Sequence, residues 1–265
     1  VTVTDNEDPT FTAASDLTAN TSADGTGDCD TEIAVPSFVY SDNCSGVTLS
    51  WTMTGATTDS GSDQIGDHVF NTGTTTVTYT VRDASSNEVS DTFTVTVTDD
   101  EVPTISCPVA VTGNTSDDGP GNCTTTVTLG TPTTGDNCSV SGLIAQVSGV
   151  TIDPATYLFP IGTTTVTWIV TDGSGNTSDC TQSVTVTDDE APTISCPVAV
   201  TGNTSDDGTG NCTTTVTLGT PTTGDNCSVS GVIAQVGGST IDPSTYLFPV
   251  GVTTVRWTVT DGSGN

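Results

Sequence analysis

Thr163-Thr164-Thr165-Val166-Thr167-Trp168-Ile169-Val170-Thr171-Asp172 alternates along its length. Val166, Trp168 and Val170 fall on one side, and Thr165, Thr167 and Thr171 on the other. Period two is the pattern of a strand with one buried face. The stretch has two further copies, with Val77, Tyr79, Val81 and Val255, Trp257, Val259 on the apolar side. Working outward, Asp172-Gly173-Ser174-Gly175-Asn176 reads as a turn of small residues. The strand after it ends Val184-Thr185-Val186-Thr187. Upstream, residues 105–111, 124–129 and 140–147 supply further strands, with Pro and Gly between them.

The whole pattern repeats. Asp99-Asp100-Glu101-Val102-Pro103-Thr104-Ile105-Ser106-Cys107-Pro108 returns 89 residues later as Asp188-Asp189-Glu190-Ala191-Pro192-Thr193-Ile194-Ser195-Cys196-Pro197. A weaker copy, Asp5-Asn6-Glu7-Asp8-Pro9-Thr10-Phe11, lies 94 residues upstream. A tandem period of this size makes one domain the unit of structure. The expected division is 1–8 as the end of a preceding repeat, then repeats at 9–98, 99–187 and 188–265, the last stopping before its final strand. Both ends of the chain thus read as interior to a longer array. No 12-residue stretch has helical periodicity. Roughly seven short strands per repeat predict an all-β fold, three tandem immunoglobulin- or fibronectin-like sandwiches in an elongated string. The first copy has five more residues between Cys44 and Phe70 than its counterpart between Cys138 and Phe159, and 55–66 is expected to absorb them as a longer loop.

Composition narrows the function. The 265 residues carry 32 acids against two bases, Arg82 and Arg256, for a formal net charge of −30. Such a surface repels nucleic acid and anionic membranes and attracts divalent cations. No apolar run is long enough to span a bilayer as a helix. The apolar residues recur at fixed places, unlike those of a disordered acidic tail.

Nine cysteines are present. Cys29 and Cys44, Cys123 and Cys138, and Cys212 and Cys227 share one spacing, and each pair reads as a local disulfide. Cys107 and Cys180 are both missing from the first copy, where Ala13 and Asp91 stand, as expected of a bonded pair. Cys196 then calls for a partner past residue 265. Zinc ligation is the competing reading, but there is one histidine and no Cys-x-x-Cys. A regular disulfide framework places the protein outside the cytosol, secreted or on a cell surface.

Four motifs in fixed order now carry a resemblance. In the second copy they are Asp99 to Pro108, Asp136-Asn137-Cys138, Phe159-Pro160 through Thr163-Thr164-Thr165-Val166-Thr167-Trp168, and Thr171 to Asn176. Together they resemble the hyalin repeat (HYR) module. The third copy matches as far as it goes. The first lacks the Cys107/Cys180 pair and reads Phe70-Asn71 for Phe-Pro. The resemblance implies an extracellular immunoglobulin-like module strung in tandem in large adhesive or matrix proteins. Similar bacterial arrays look like the stalks of giant surface adhesins.

The candidate sites are acidic. In a sandwich of this topology, the linker Asp99-Asp100-Glu101, the loop with Asp136 and Asn137, and the turn with Asp172 and Asn176 meet at one pole. The third copy repeats the set as Asp188, Asp189, Glu190, Asp225, Asn226, Asp261 and Asn265. The first offers Asp5, Glu7, Asp8, Asp42, Asn43, Asp83 and Asn87. Calcium takes six to eight oxygen ligands of these types. So many carboxylates without a cation repel one another. The expected cofactor is therefore Ca2+ at each junction, stiffening the string; the competing reading is a solvated acidic surface. A second acidic loop, Asp117-Asp118-Gly119 with its copies Asp206-Asp207-Gly208 and Asp24 with Asp28, reads as a turn. Asn20, Asn114 and Asn203 begin Asn-x-Ser/Thr sequons, glycan acceptors in a eukaryotic secreted protein. The threonine runs 124–126 and 163–165 read as exposed strand positions rather than an ice-binding face.

No catalytic constellation emerges. His68, the one histidine, sits where the other copies have Tyr157 and Tyr246, and the tryptophans lie mainly on the core face. The expected function is a non-enzymatic stalk segment of a large extracellular adhesin. Its expected partners are neighbouring repeats, with self-association into fibres or surface glycans and proteins beyond them. A glycan- or protein-binding module acting by avidity, and an accessory array on a secreted enzyme, are the alternatives.

Overall fold

The structure is a computed structural model that describes every residue except 13, 14, 207 and 209. Ala13, matched with Cys107, and Asp207 of the second acidic loop lie outside the described residues. The chain forms two compact units: Val1–Ser106 with Pro132–Ile144 and Trp168–Cys180, and Cys107–Thr131 with Ala145–Thr167 and Thr181–Asn265. The division runs through the middle sequence repeat. Each unit thus joins an outer repeat to part of the middle one.

In the first unit, threonine-rich alternation yields long strands. Gly73–Arg82 pairs antiparallel with both Glu88–Thr98 and Thr48–Gly55. Leu17–Asn20 lies parallel to the end of Glu88–Thr98, Leu17 facing Val95. Asp59–Ser62 closes the far edge of this five-stranded sheet. Opposite it, Asp30–Ala34 pairs with Asp67–Asn71, and Thr10–Phe11 with Tyr40–Ser41. Val77, Tyr79 and Val81 from one layer and Phe70 from the other are buried together with Phe93, Val95 and Val97. Two layers closing over one apolar core make a β-sandwich.

The second unit repeats these registers. Val111–Asn114 runs parallel to Val184 through Thr187, as Leu17–Asn20 does to Val95 through Thr98. Thr124–Thr126 pairs with Leu158–Pro160, and Thr213–Thr215 with Leu247–Pro249. Val229–Val236 pairs with both Ser239–Ile241 and Arg256–Asp261. Val166 of this unit, and Trp168 and Val170 of the first, are buried as their alternation predicts. Among the described residues, the helical segments are two short 3-10 turns, Thr21–Ala23 and Thr115–Asp118. The chain is thus a tandem of β-sandwich domains.

Three local expectations change. Residues 105–111 do not form one strand. Thr104–Ser106 pairs with Thr133–Gly135, while Val111–Asn114 joins the other sheet. Pro108, which has no N–H to donate, stands in the break. The extra residues of the first copy form no simple loop either: Asp59–Ser62 extends a hairpin with Ser50 through Met53.

The third change concerns the cysteines. Cys29 bonds to Cys138, 109 residues away, and Cys123 to Cys227, 104 residues away. The evenly spaced pairs Cys29/Cys44, Cys123/Cys138 and Cys212/Cys227 are therefore not formed. Cys44, Cys196 and Cys212 are free and exposed. The physical reason lies in the strands. Cys29 stands just before Asp30–Ala34, whereas Cys44 sits near Tyr40–Ser41 with Asp42. The sulfur within reach of Cys29 is that of the Asp136-Asn137-Cys138 loop, at a Cα–Cα distance of 4.7 Å. Cys107 and Cys180 are both disulfide-bonded.

Phe70 fills the middle of the first sandwich, so Phe70→Ala should cost about 3–5 kcal/mol, read as a lower denaturant midpoint with an unchanged slope. Peptide mapping without reduction should recover the Cys29 peptide joined to the Cys138 peptide; recovery of a Cys29–Cys44 peptide would refute the pairing.

Candidate metal centre

The linker residue Asp99 is 2% exposed, and Asp172 likewise. With Asp136 they place ligand oxygens within 4.8 Å of one another. Asp188, Asp225 and Asp261 do the same in the second unit. Each cage draws one carboxylate from the linker, one from an Asp-Asn-Cys loop and one from an Asp-to-Asn turn.

Each carboxylate is oriented by its own backbone. Asp172 Oδ1 accepts N–H bonds from Ser174, Gly175 and Asn176 at 2.9, 2.6 and 2.8 Å. Its Oδ2 accepts the Asn176 amide at 2.8 Å. Asp261 repeats this with Ser263, Gly264 and Asn265. Asp136 Oδ2 accepts from the N–H groups of Cys138 and Ser139, which turns Oδ1 inward. Asp225 is held in the same way by Cys227 and Ser228.

Other oxygens at these loops and linkers are buried without donors. Asp99 Oδ2, Asp136 Oδ1 and Asn137 Oδ1 are buried with no hydrogen-bond partner, as are Asp188 Oδ2, Asp225 Oδ1, Asn226 Oδ1 and Glu190 Oε2. All seven are acceptors, and buried acceptors without donors are costly. The same three atoms are orphaned in both cages. That pattern fits a hard cation that prefers oxygen.

Asparagine closes each cage against the preceding repeat. The Asn137 amide donates to Asp99 Oδ1, to Glu101 Oε2 and to the backbone oxygen of Asp28. Asn226 donates to Asp188 Oδ1 and to the backbone oxygen of Asn122. Asn176 and Asn265 use their amides to hold the linker backbone at Asp99 and Asp188.

The other acids named from sequence are placed differently. Asp100 turns away from the cage and accepts from Ser22 and Asn20 at 2.9–3.0 Å. Asp189 accepts from the Ser116 hydroxyl at 2.7 Å. Thr21 and Thr115, both fully buried, donate to Asp99 and Asp188. These Asn-Thr-Ser segments read from sequence only as sequons; their fixed offset from the linker acids was the signal to use. In the first copy, Asp5 and Asp42 are grouped with the thiol of Cys44. Asp83 binds Asn87, whose amide reaches the Asp5 backbone oxygen, and Glu7 accepts from Asn43. Hydrogen bonding to Asp5, with burial and the charges of Asp5, Asp42 and Asp83, pushes the Cys44 thiol upward. Asp118 and Asp24 accept from Thr126 and Thr26, as turn residues do. His68 packs edge-on against Phe70 and Trp51.

The HYR domain matches residues 39–97 and 98–186. The chain belongs to the HYR family. Hyalin of Strongylocentrotus purpuratus is 35% identical over 230 residues, which is 83% of this chain and 18% of that protein. Hyalin of Lytechinus variegatus is 33% identical over 211 residues, 78% of this chain and 37% of that protein. The chain thus spans less than two fifths of either hyalin. Among solved structures, the fibronectin(III)-like modules of Clostridium thermocellum CbhA align with 68% of this HYR chain and 94% of their own, at 14% identity and a TM-score of 0.27.

The HYR linker acids also make an acid sensitivity. The Ser116 hydroxyl, opposed by burial and aided by the Ser116 N–H, holds the Asp189 carboxyl below its usual range. Ser22 and Asn20 do the same for Asp100. A depressed folded pKa gives stability that is present above the unfolded value near 4 and lost as pH falls through the folded one. Asp100→Asn with Asp189→Asn should therefore flatten the loss of stability below about pH 4, measured by denaturant titration at each pH; an unchanged slope would exclude these two groups.

Proposed function

We propose that this chain is a segment of an extracellular stalk, a non-enzymatic array of HYR repeats that holds an adhesive protein away from its anchor. Calcium occupies the cages Asp99–Asp136–Asp172 and Asp188–Asp225–Asp261 and fixes each repeat on the one before it. The observation that carries the reading is the matched set of buried, unpartnered oxygens in the two cages. Asp99, Asp136 and Asn137 would hold the ion in one, and Asp188, Asp225, Asn226 and Glu190 in the other. The bound ion supplies positive charge where carboxylates crowd. The chain's residues supply the orientation: backbone N–H groups hold the outer oxygens, and Asn137 and Asn226 tie the cage to the preceding repeat. Disulfide-bonded cysteines support the extracellular placement. Identity to hyalins supports an adhesion-type setting.

A ligand that binds only the folded state stabilises it, by about 2.7 kcal/mol at a hundredfold excess over Kd. Calorimetric titration of the chain with calcium should show saturable binding, and chelator should lower the unfolding temperature. Asp136→Asn and Asp225→Asn keep the loop's acceptor oxygen but remove a charge, so each should weaken one cage. No heat of binding and identical melting in calcium and chelator would leave the acids as a solvated surface.

A further inference from the structure

Cys29 and Cys227 are separated by more than two repeats of backbone. Through the disulfides they are much closer. The route crosses from Cys29 to Cys138, runs back along the chain to Cys123, and crosses again to Cys227. Its only backbone is the short stretch between Cys123 and Cys138. We infer that these two disulfides form a second covalent path that limits extension, so that the chain acts as a tether of fixed length under tension.

Tension follows the shortest covalent route. A repeat held only by its fold can lengthen when pulled, because unfolding releases its whole backbone. Here the backbone from Cys29 to Asn122 and from Ser139 to Cys227 lies outside the shortest route and carries no end-to-end tension once that route is taut. The stretch that does carry it already includes the strands Thr124–Thr126 and Thr133–Gly135, so little slack remains. Fully extended, Cys123 to Cys138 reaches about 50 Å, whereas the backbone from Cys29 to Cys227 reaches roughly 700 Å. The pairing shortens the available length about thirteenfold.

The placement of the bonds fits this role. Each joins the cysteine that precedes a strand in one repeat to the Asp-Asn-Cys loop of the next, and the two bonds recur at the same positions of the repeat. The intervening segment is shared: Cys123 and Cys138 bracket it, and each sends its bond in the opposite direction along the chain. Bonds within repeats would shield individual domains and leave the linkers to bear the pull. This arrangement bridges the linkers instead. The inference rests on the cysteine pairing and not on the cation.

The test is single-molecule pulling of the full chain through terminal peptide tags, with Cys44, Cys196 and Cys212 replaced by serine to prevent exchange. In oxidising buffer the segment between Cys29 and Cys227 should contribute no more than about 50 Å after all domains have yielded. Reductant should add roughly 650 Å, the backbone that the bridges had kept out of the route. Cys29→Ser with Cys138→Ser should raise the oxidised length to that of the backbone from residue 29 to Cys123, roughly 300 Å. The limit should be the same in calcium and in chelator, which separates it from the cation reading. An oxidised length several times that limit, or one that reductant leaves unchanged, overturns the inference.

Discussion

Carboxylates placed within a few ångströms of one another repel, and in this protein they are also buried. Asp99 and Asp172 are 2% exposed, and Asp188 and Asp261 are 5% and 2% exposed. Every other feature of the inter-repeat contact is arranged around that repulsion. The outer oxygen of each loop or turn aspartate is held by backbone N–H groups, which donate without bringing a full charge. The chain has no lysine and keeps its two arginines elsewhere, on the strands Gly73–Arg82 and Arg256–Asp261. Side-chain cations therefore play no part in compensating the cages, and the inner oxygens are buried without a donor.

The asparagines connect this electrostatic problem to the mechanics. Asn137 touches the linker carboxylates with its amide and reaches the backbone beside Cys29, while the next residue, Cys138, is bonded to Cys29 itself. Asn226 and Cys227 stand in the same relation to Asn122 and Cys123. One dipeptide thus serves the cage through its first residue and the covalent path through its second. Thr21 and Thr115, buried against Asp99 and Asp188, bring the preceding repeat into the same contact. Order at the linker comes from polar groups that find partners only when two repeats are correctly placed.

Much of this could be read from residues alone. The alternation through Val166, Trp168 and Val170 gave the buried faces, and the repeat of the linker acids gave the poles where they gather. Pro108 shows where local pattern fell short, because an apolar run hides a change of sheet. The cysteines show a different failure. A constant spacing between the two cysteines of each copy is equally compatible with a bond within each copy and with bonds that step from copy to copy, because translation by one repeat preserves both. Only the positions of Cys29 beside a strand and Cys138 beside the linker separate them. The Asn-Thr-Ser segments were visible as sequons, but their partners lie 73 to 80 residues away, beyond the reach of local reading.

The crossed disulfides have a consequence for damage. Between Cys29 and Cys227 every backbone bond is bypassed by at least one of the two bridges. A protease that cuts once anywhere in that span leaves the pieces joined. Proteolysis alone parts the two ends only when it has struck all three stretches: before Cys123, between Cys123 and Cys138, and after Cys138. In a setting rich in hydrolases, the working lifetime of such a chain is governed by the coincidence of several nicks and by the local reducing power, rather than by the first lesion.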